Sequence, residues 1–305
     1  MIKLHDLHYV RIGTRDLAGA IEFATRIIGL ALVRREGGVA YLRSVATQGD
    51  APDHTLVYFD GDPSDQTIGL QLADPADFNA AAAAIEATGQ RIRIGTEREA
   101  SGRRVRQLMA FRAASGHRIE IVARPHQGDA RRQSMRDAGL TRLSHIGLRT
   151  SNASRDAAFW MRSGMLRVSD RIGDVALLRM GTRHHSLALY PSGRTGLQHV
   201  SFAVKTLDDL MRSWYFLREQ GVKILFGPGR DPTSSAIFLY FAGPDKMIYA
   251  YSYGMREIQP ALDASYRPRQ FPFAPQSFCL WGALPEMAEF GASVQGLPLT
   301  QRFAT

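Results

Sequence analysis

Two of the nine histidines stand in matching contexts. His145 lies in SHIGL and His199 in QHVSF, each near the start of an alternating stretch that opens a repeated unit. If the two units pair about a pseudo-twofold axis, both imidazoles meet across one concave sheet. Strand alternation puts Gly147 on the face of His145, and Ser201 and Ala203 on that of His199. Small neighbours of this kind leave room for a cavity. A third imidazole, His185 of RHHSLAL, leads a strand on a face shared with Leu187 and Leu189 and could bring a titratable ring into the same space. Tyr240 of IFLYF faces with Phe238. Together these groups suit proton transfer on a small molecule; the alternative is a set of hydrogen-bonded core side chains.

The elements that must position them recur. An alternating strand LHYVRI (7–12), a helical pattern (17–30) and three short strands around LALVRR, VAYLRS and HTLVYF spell β-α-β-β-β. The same order returns over roughly 66–123. It returns again from SHIGLRT through ASRDAAFWMRSGML to HHSLALY, and a fourth time from LQHVSFAV to MIYAYSY. One such unit leaves an apolar sheet face open, so units must pair. The expected class is therefore α+β, with two tandem modules of two units each, every module a curved sheet with flanking helices. Boundaries are expected at 1–125 for a structural first module, 126–140 for a linker, 141–255 for the module carrying the site, and 256–305 for an extended tail. That tail is too rich in proline for a regular element, and Phe271, Phe273, Phe278 and Trp281 are its expected anchors.

The bulk properties narrow the function classes. The chain has 305 residues, 45% of them hydrophobic, and a net charge of +9. Its basic residues are scattered as single arginines and short pairs such as Arg34-Arg35 and Arg103-Arg104, with no basic helix or aromatic platform, so no nucleic-acid partner is expected. A diffuse positive field would favour anionic or phenolate ligands. No stretch of about 20 apolar residues is present, and the start MIKLHDLHYV already alternates, so a cytoplasmic protein with no membrane partner is expected. The single cysteine, Cys279, excludes an internal disulfide and is expected to be a small buried hydrophobe.

The four units, together with SHIGL, HHSLAL, LQHVSFAV and GPGRDPTSSAIFLYFAGPDKMIYAYSYG, resemble the two-module extradiol dioxygenases of the vicinal oxygen chelate (glyoxalase/bleomycin-resistance) superfamily. The resemblance covers residues 1 to about 255. It implies an Fe(II) or Mn(II) site in the second module, built from a His at His145, a His at His199 and a Glu on the last strand. It also implies an acid/base histidine at His185, a substrate-contacting tyrosine at Tyr240, and a homo-oligomer. Three departures surround that site. Ten residues after Tyr240, where the family places its glutamate, stands Ala250; Lys246 replaces the usual glycine after Pro-Asp; Asp231 replaces the usual histidine after Gly-Arg.

A methyl group cannot ligate. Loss of a ligand together with its charge should cost more than the roughly 10 to 100-fold that outer partners contribute to metal affinity. Iron is thus expected to be weak or absent, unless Asp231 or an exogenous anion fills the place. In the first module His8 and Glu120 occupy the corresponding first and third places, but the second falls near Ile68. The resemblance implies an extradiol-dioxygenase-like enzyme acting on a phenolic, aromatic or polyketone molecule, with no cofactor expected. His185, Tyr240, His145 and His199 are the candidate catalytic groups, and His184, Asp231, Phe238 and Ala250 the candidate substrate contacts, with His184 read also as structural. The alternatives are an Fe(II)-dependent ring-cleavage dioxygenase with an altered site, and a non-catalytic protein that binds an aromatic compound.

Overall fold

The structure is a computed structural model that describes residues 2–44, 52–126, 134–263 and 265–287. Parts of the expected linker and tail lie outside these residues. By backbone contacts the chain divides into two compact units, Met1–Leu143 with Arg155–Arg167, and Ser144–Ser154 with Val168–Thr305.

The first unit holds β1 (Leu4–Thr14), α1 (Leu17–Glu22), β2 (Ala31–Glu36), β3 (Val39–Arg43) and β4 (Leu56–Asp60), then β5 (Gln66–Leu72), α2 (Phe78–Glu86), β6 (Arg93–Ile94), α3 (Glu97–Gly102), β7 (Val105–Arg112) and β8 (Arg118–Pro125). These are the two expected β-α-β-β-β units. Their strands form one sheet in the order β2-β3-β4-β1-β5-β8-β7-β6. The helical run that starts at α1 continues as a π-helix through Ile28 and stops where Gly29 takes φ +91°, a left-handed conformation open to glycine. Two details differ from expectation. The stretch RIRIGT forms only a two-residue strand, and α3 follows it, capped by Thr96 and Glu99 each bonding the other's backbone N–H.

The third repeat consists of β9 (Leu140–Thr150), α4 (Ala153–Arg162), β10 (Arg167–Ile172), β11 (Val175–Arg179) and β12 (Leu187–Pro191). The fourth consists of β13 (Gly196–Val204), α5 (Leu207–Glu219), β14 (Ile224–Arg230), β15 (Ile237–Ala242) and β16 (Ile248–Tyr253), and the tail adds β17 (Arg269–Phe271). The sheet runs β14-β15-β16-β13-β9-β12-β11-β10-β17. Thr206 and Asp209 form a reciprocal cap that starts α5, and its Leu210 and Leu217 are buried. Although α4 follows β9 in the chain, residues 155–167 group with the first unit, where Phe159 and Trp160 pack about 6 Å from Phe111.

The tail is anchored, but by fewer residues than expected. β17 pairs in parallel with β10, Asp170 opposite Arg269 and Ile172 opposite Phe271. Phe278 is buried in the second unit's core beside Cys279, whereas Phe273 and Trp281 are exposed, Trp281 at 52%. Cys279 is buried as a free thiol, as its neighbours predict.

Candidate active site

The second unit brings three imidazoles together. His145, near the middle of β9, has its ring centroid 4.6 Å from that of His185 and 5.2 Å from that of His199 on β13. Tyr240 of β15 closes the group, 4.9 Å from His199. Gly147 makes this convergence possible, because a Cβ there would collide with Nδ1 of His199. The space left by the small residue is thus filled by the second imidazole rather than left as cavity.

His185 arrives by a route that strand alternation does not describe. β12 begins only at Leu187; the backbone from Gly181 to His185 bends, with one isolated bridge from Arg183 to Glu257, and Ser186 is the first residue to bond both β9 and β11. The side of β12 that faces Tyr240, Phe238 and Ala250 carries Ala188 and Tyr190, so Leu187 and Leu189 take the other face and do not share one with His185.

A small cavity of about 30 Å³ lies against this cluster, lined among others by His145, His185, Tyr190, Asp231, Phe238 and Tyr240, with Ser252 and Phe278. His199, Ala250 and His184 are fully or almost fully buried and do not line it. Ala250 stands directly across from Tyr240 on the β15-β16 pair and beside Ser201 on the β13-β16 pair. His184 sits behind His185, its Nδ1 3.1 Å from Nδ1 of His185 and its Nε2 2.9 Å from the buried carboxylate of Asp170. Asp231 accepts bonds from the Thr233 N–H (2.8 Å), the Thr233 hydroxyl (2.7 Å) and the Ser234 hydroxyl (2.6 Å). Both its oxygens are therefore engaged in its own turn.

Burial dominates the electrostatics. It holds His145 and His185 well below the ordinary imidazole range, and neighbouring imidazoles push the same way. His199 is lowered to about 3 by burial and then by Arg149. All three rings are neutral at pH 7, each with one lone-pair nitrogen able to take a proton. Burial, assisted by the charge of Asp231, raises the Tyr240 phenol, which therefore remains an O–H donor. Three buried hydroxyls add a chain sequence reasoning missed: Ser201 donates to Ser252 (3.3 Å), Ser252 to Ser144 (3.2 Å), and Ser144 lies 3.1 Å from Nδ1 of His145.

The residues do not fit the three-ligand metal site that the resemblance implies. Among the described residues no three of His, Cys, Asp and Glu are arranged to hold a metal ion. The chemistry of the donors gives the reason: two imidazoles converge, but beside them stand the methyl of Ala250 and uncharged serine hydroxyls, while Asp231 is committed elsewhere.

The first unit corrects the expected correspondence. Val10 pairs with Leu56 as Ile146 pairs with Leu187, so the counterpart of His145 is Tyr9, not His8, and that of His185 is His54. Gly69 pairs with Glu120 as Ser201 pairs with Ala250, so the carboxylate missing from the second unit is present in the first. There it accepts a bond from the Tyr9 hydroxyl and a bidentate pair from Arg103 (3.1 and 2.7 Å). Tyr9 is packed under Ala100 of α3. This is an internal brace. A larger cavity of about 410 Å³ opens elsewhere in that unit, lined by residues including His5, His8, Thr55, Gln71 and Arg142.

A family model for the Glyoxalase/Bleomycin resistance protein/Dioxygenase superfamily matches residues 6–121 and 142–247, one match for each pair of repeats, and the chain belongs to that superfamily. Within it the homologues are two-module dioxygenases. A biphenyl-2,3-diol 1,2-dioxygenase of Sphingomonas paucimobilis is 26% identical, covering 84% of this chain and 90% of the relative. A 1,2-dihydroxynaphthalene dioxygenase of Sphingobium xenophagum is 26% identical, with 84% and 91% covered. The fold matches that of a Mn(II)-bound glyoxalase from Novosphingobium aromaticivorans with a TM-score of 0.80 at 23% identity, over 98% of this chain and 95% of the other.

Proposed function

We propose that the protein is an extradiol-dioxygenase-like enzyme that acts on a phenolic, aromatic or polyketone small molecule by acid/base chemistry, without the iron usual in its family. The observation that carries this reading is the neutral imidazole of His185, lining a cavity beside His145 and the Tyr240 hydroxyl, where the third metal position is the methyl of Ala250. His185 takes the proton from a substrate hydroxyl or activated carbon. Tyr240 donates a hydrogen bond to the oxyanion that forms, in a site dry enough to make that bond strong. His145, held by Ser144, orients the ring or moves a second proton, and His199 backs it. Phe238 and Asp231 contact the substrate; His184 contributes through His185 and Ala250 by leaving space.

Pockets for small ligands commonly measure roughly 300–1,000 Å³, and about 30 Å³ holds little more than water. Admission of an aromatic ring therefore requires the wall that includes Phe278 and the turn from Asp231 to Ala236 to move. The reading includes a homo-oligomer, which light scattering would check.

The test is turnover of a panel of catechols, phenols and β-diketones by protein purified with Fe(II) supplied. The expected outcome is activity that survives chelation, with little metal retained, and that falls roughly 10² to 10⁴-fold in His185→Ala while ligand affinity changes little. Near-stoichiometric iron with chelator-sensitive ring cleavage would overturn it in favour of an iron enzyme. Binding without turnover would favour a sequestering protein.

A further inference from the structure

Besides Phe278 in the cavity wall, the C-terminal tail reaches the candidate active site through the side chain of Arg269. β17 docks on β10 in a register that sets Arg269 opposite Asp170. The Arg269 backbone N–H donates to Oδ1 of Asp170 (2.8 Å), its Nε lies 3.2 Å from both carboxylate oxygens, and its Nη2 donates to Oδ2 at 2.6 Å. The same Nη2 donates to the Thr233 carbonyl (2.6 Å), within the turn that Asp231 organises on the cavity wall. Asp170 has no solvent exposure, and among the described residues the charged and titratable groups paired with it are Arg269, His184 and Arg256, the last 3.6 Å away.

The hydrogen-bond order is directional. An ionised carboxylate only accepts, so the Nε2 of His184 facing Asp170 carries hydrogen. A singly protonated His184 then presents the lone pair of Nδ1. That nitrogen faces Nδ1 of His185 at 3.1 Å, and one of the two must donate. With His184 neutral, His185 carries its proton on Nδ1 and keeps its Nε2 lone pair for the cavity, whereas a charged His184 would donate and reverse that order. We infer that Arg269 is a positioning residue: by clamping Asp170 it fixes the orientation of His184, and through His184 it selects the tautomer of His185 that serves as a base.

Neighbouring histidine contacts alone would not achieve this selection. The ring of His145 lies against His185 edge to face, at an interplanar angle of 64°, and the Ser144 hydroxyl takes up its Nδ1. Only the chain from the tail through Asp170 and His184 supplies an acceptor aligned with Nδ1 of His185 among the hydrogen bonds of the described residues. The inference rests on the proposed acid/base reading for its purpose, but its geometry stands without it.

The test needs no substrate. Full-length protein carrying ¹⁵N-labelled histidine, with the His185 signals assigned by comparison with His185→Gln, reports which ring nitrogen bears hydrogen. The expected result is a single Nδ1–H tautomer for His185 in the native chain, lost to a mixture or to the Nε2–H form in Arg269→Ala and in Asp170→Asn. If Arg269→Ala does not fold, Arg269→Lys, which keeps one donor for Asp170 but cannot also reach Thr233 as a fork, decides by the same spectrum. An Nε2–H tautomer in the native chain, or an unchanged His185 signature in folded variants, would overturn the inference. A correct tautomer in a protein with no turnover on the panel would instead overturn the functional reading and leave this one standing.

Discussion

His199 depends on what Gly147 lacks. A methyl placed there must displace a fully buried imidazole, so Gly147→Ala should destabilise the chain by about 1–3 kcal/mol and disturb the His145 and His199 pair, read by thermal melting and histidine spectra. Ala250 is the complementary case. Its position opposite Tyr240 and beside Ser201 is where a carboxylate would complete the set with His145 and His199. Ala250→Glu is expected to raise Fe(II) and Mn(II) affinity by roughly 10 to 100-fold or more, measured by calorimetry, and an unchanged affinity would mean that the third position belongs to another residue. The histidines at 145 and 199 were legible in the sequence because they open matching repeats on regular strands, whereas the gap at Ala250 was legible only through the family resemblance. His185 was legible from RHHSLAL, but the face expected for it was wrong because the segment before β12 is not a strand. The serine chain was invisible, since hydroxyls from β9, β13 and β16 meet only after the sheet has formed.

The elements were readable wherever a long amphipathic pattern carried a cap. Helix α5 starts after Thr206, with Asp209 in its first turn as the reciprocal partner, and the T-x-x-E signal at Thr96 and Glu99 announces α3, an element the β-α-β-β-β repeat does not contain. The tail was less legible, because four aromatics in a proline-rich stretch do not say which of them find a core. Its two extremes differ sharply in burial: Phe278→Ala should cost about 3–5 kcal/mol, the range for a buried phenylalanine, while Trp281→Ala should stay within about 0.5 kcal/mol. Denaturant midpoints of the two variants check the contrast, and equal losses would mean that the tail is held in some other way.

At the scale of the whole molecule, both units keep neutral imidazoles inside. His8 is lowered to about 3 chiefly by burial, as is His199, and burial also depresses His54, His145 and His185. Each group has a folded pKa below its unfolded value near 6.5, so its contribution is complete above that pH and is lost as the pH falls through the folded pKa, which for His8 and His199 is about 3. Each loses about 1.4 kcal/mol per pH unit within the window. Asp170, which burial alone would raise, is held at about 2 by His184 and Arg269 and matters only below about pH 4. The melting temperature should therefore drop steeply between pH 7 and 5, before any carboxylate is involved. A flat profile there would show that these histidines are not buried as described. Fold class and duplication were plain from the repeating element order, whereas the different fates of the two copies, Glu120 braced by Arg103 in one and Ala250 in the other, needed the strand registers.

Phe278 belongs both to the core that fastens the tail and to the wall of a cavity too small for an aromatic ring. If a guest enters only when that wall yields, the free energy holding it shut is subtracted from the guest's apparent affinity, in proportion to how seldom the open form is populated. Tighter docking of the tail and tighter capture of a ligand then oppose each other, and Phe278→Ala, the variant that melts earliest, should also be the one that binds a phenol most strongly.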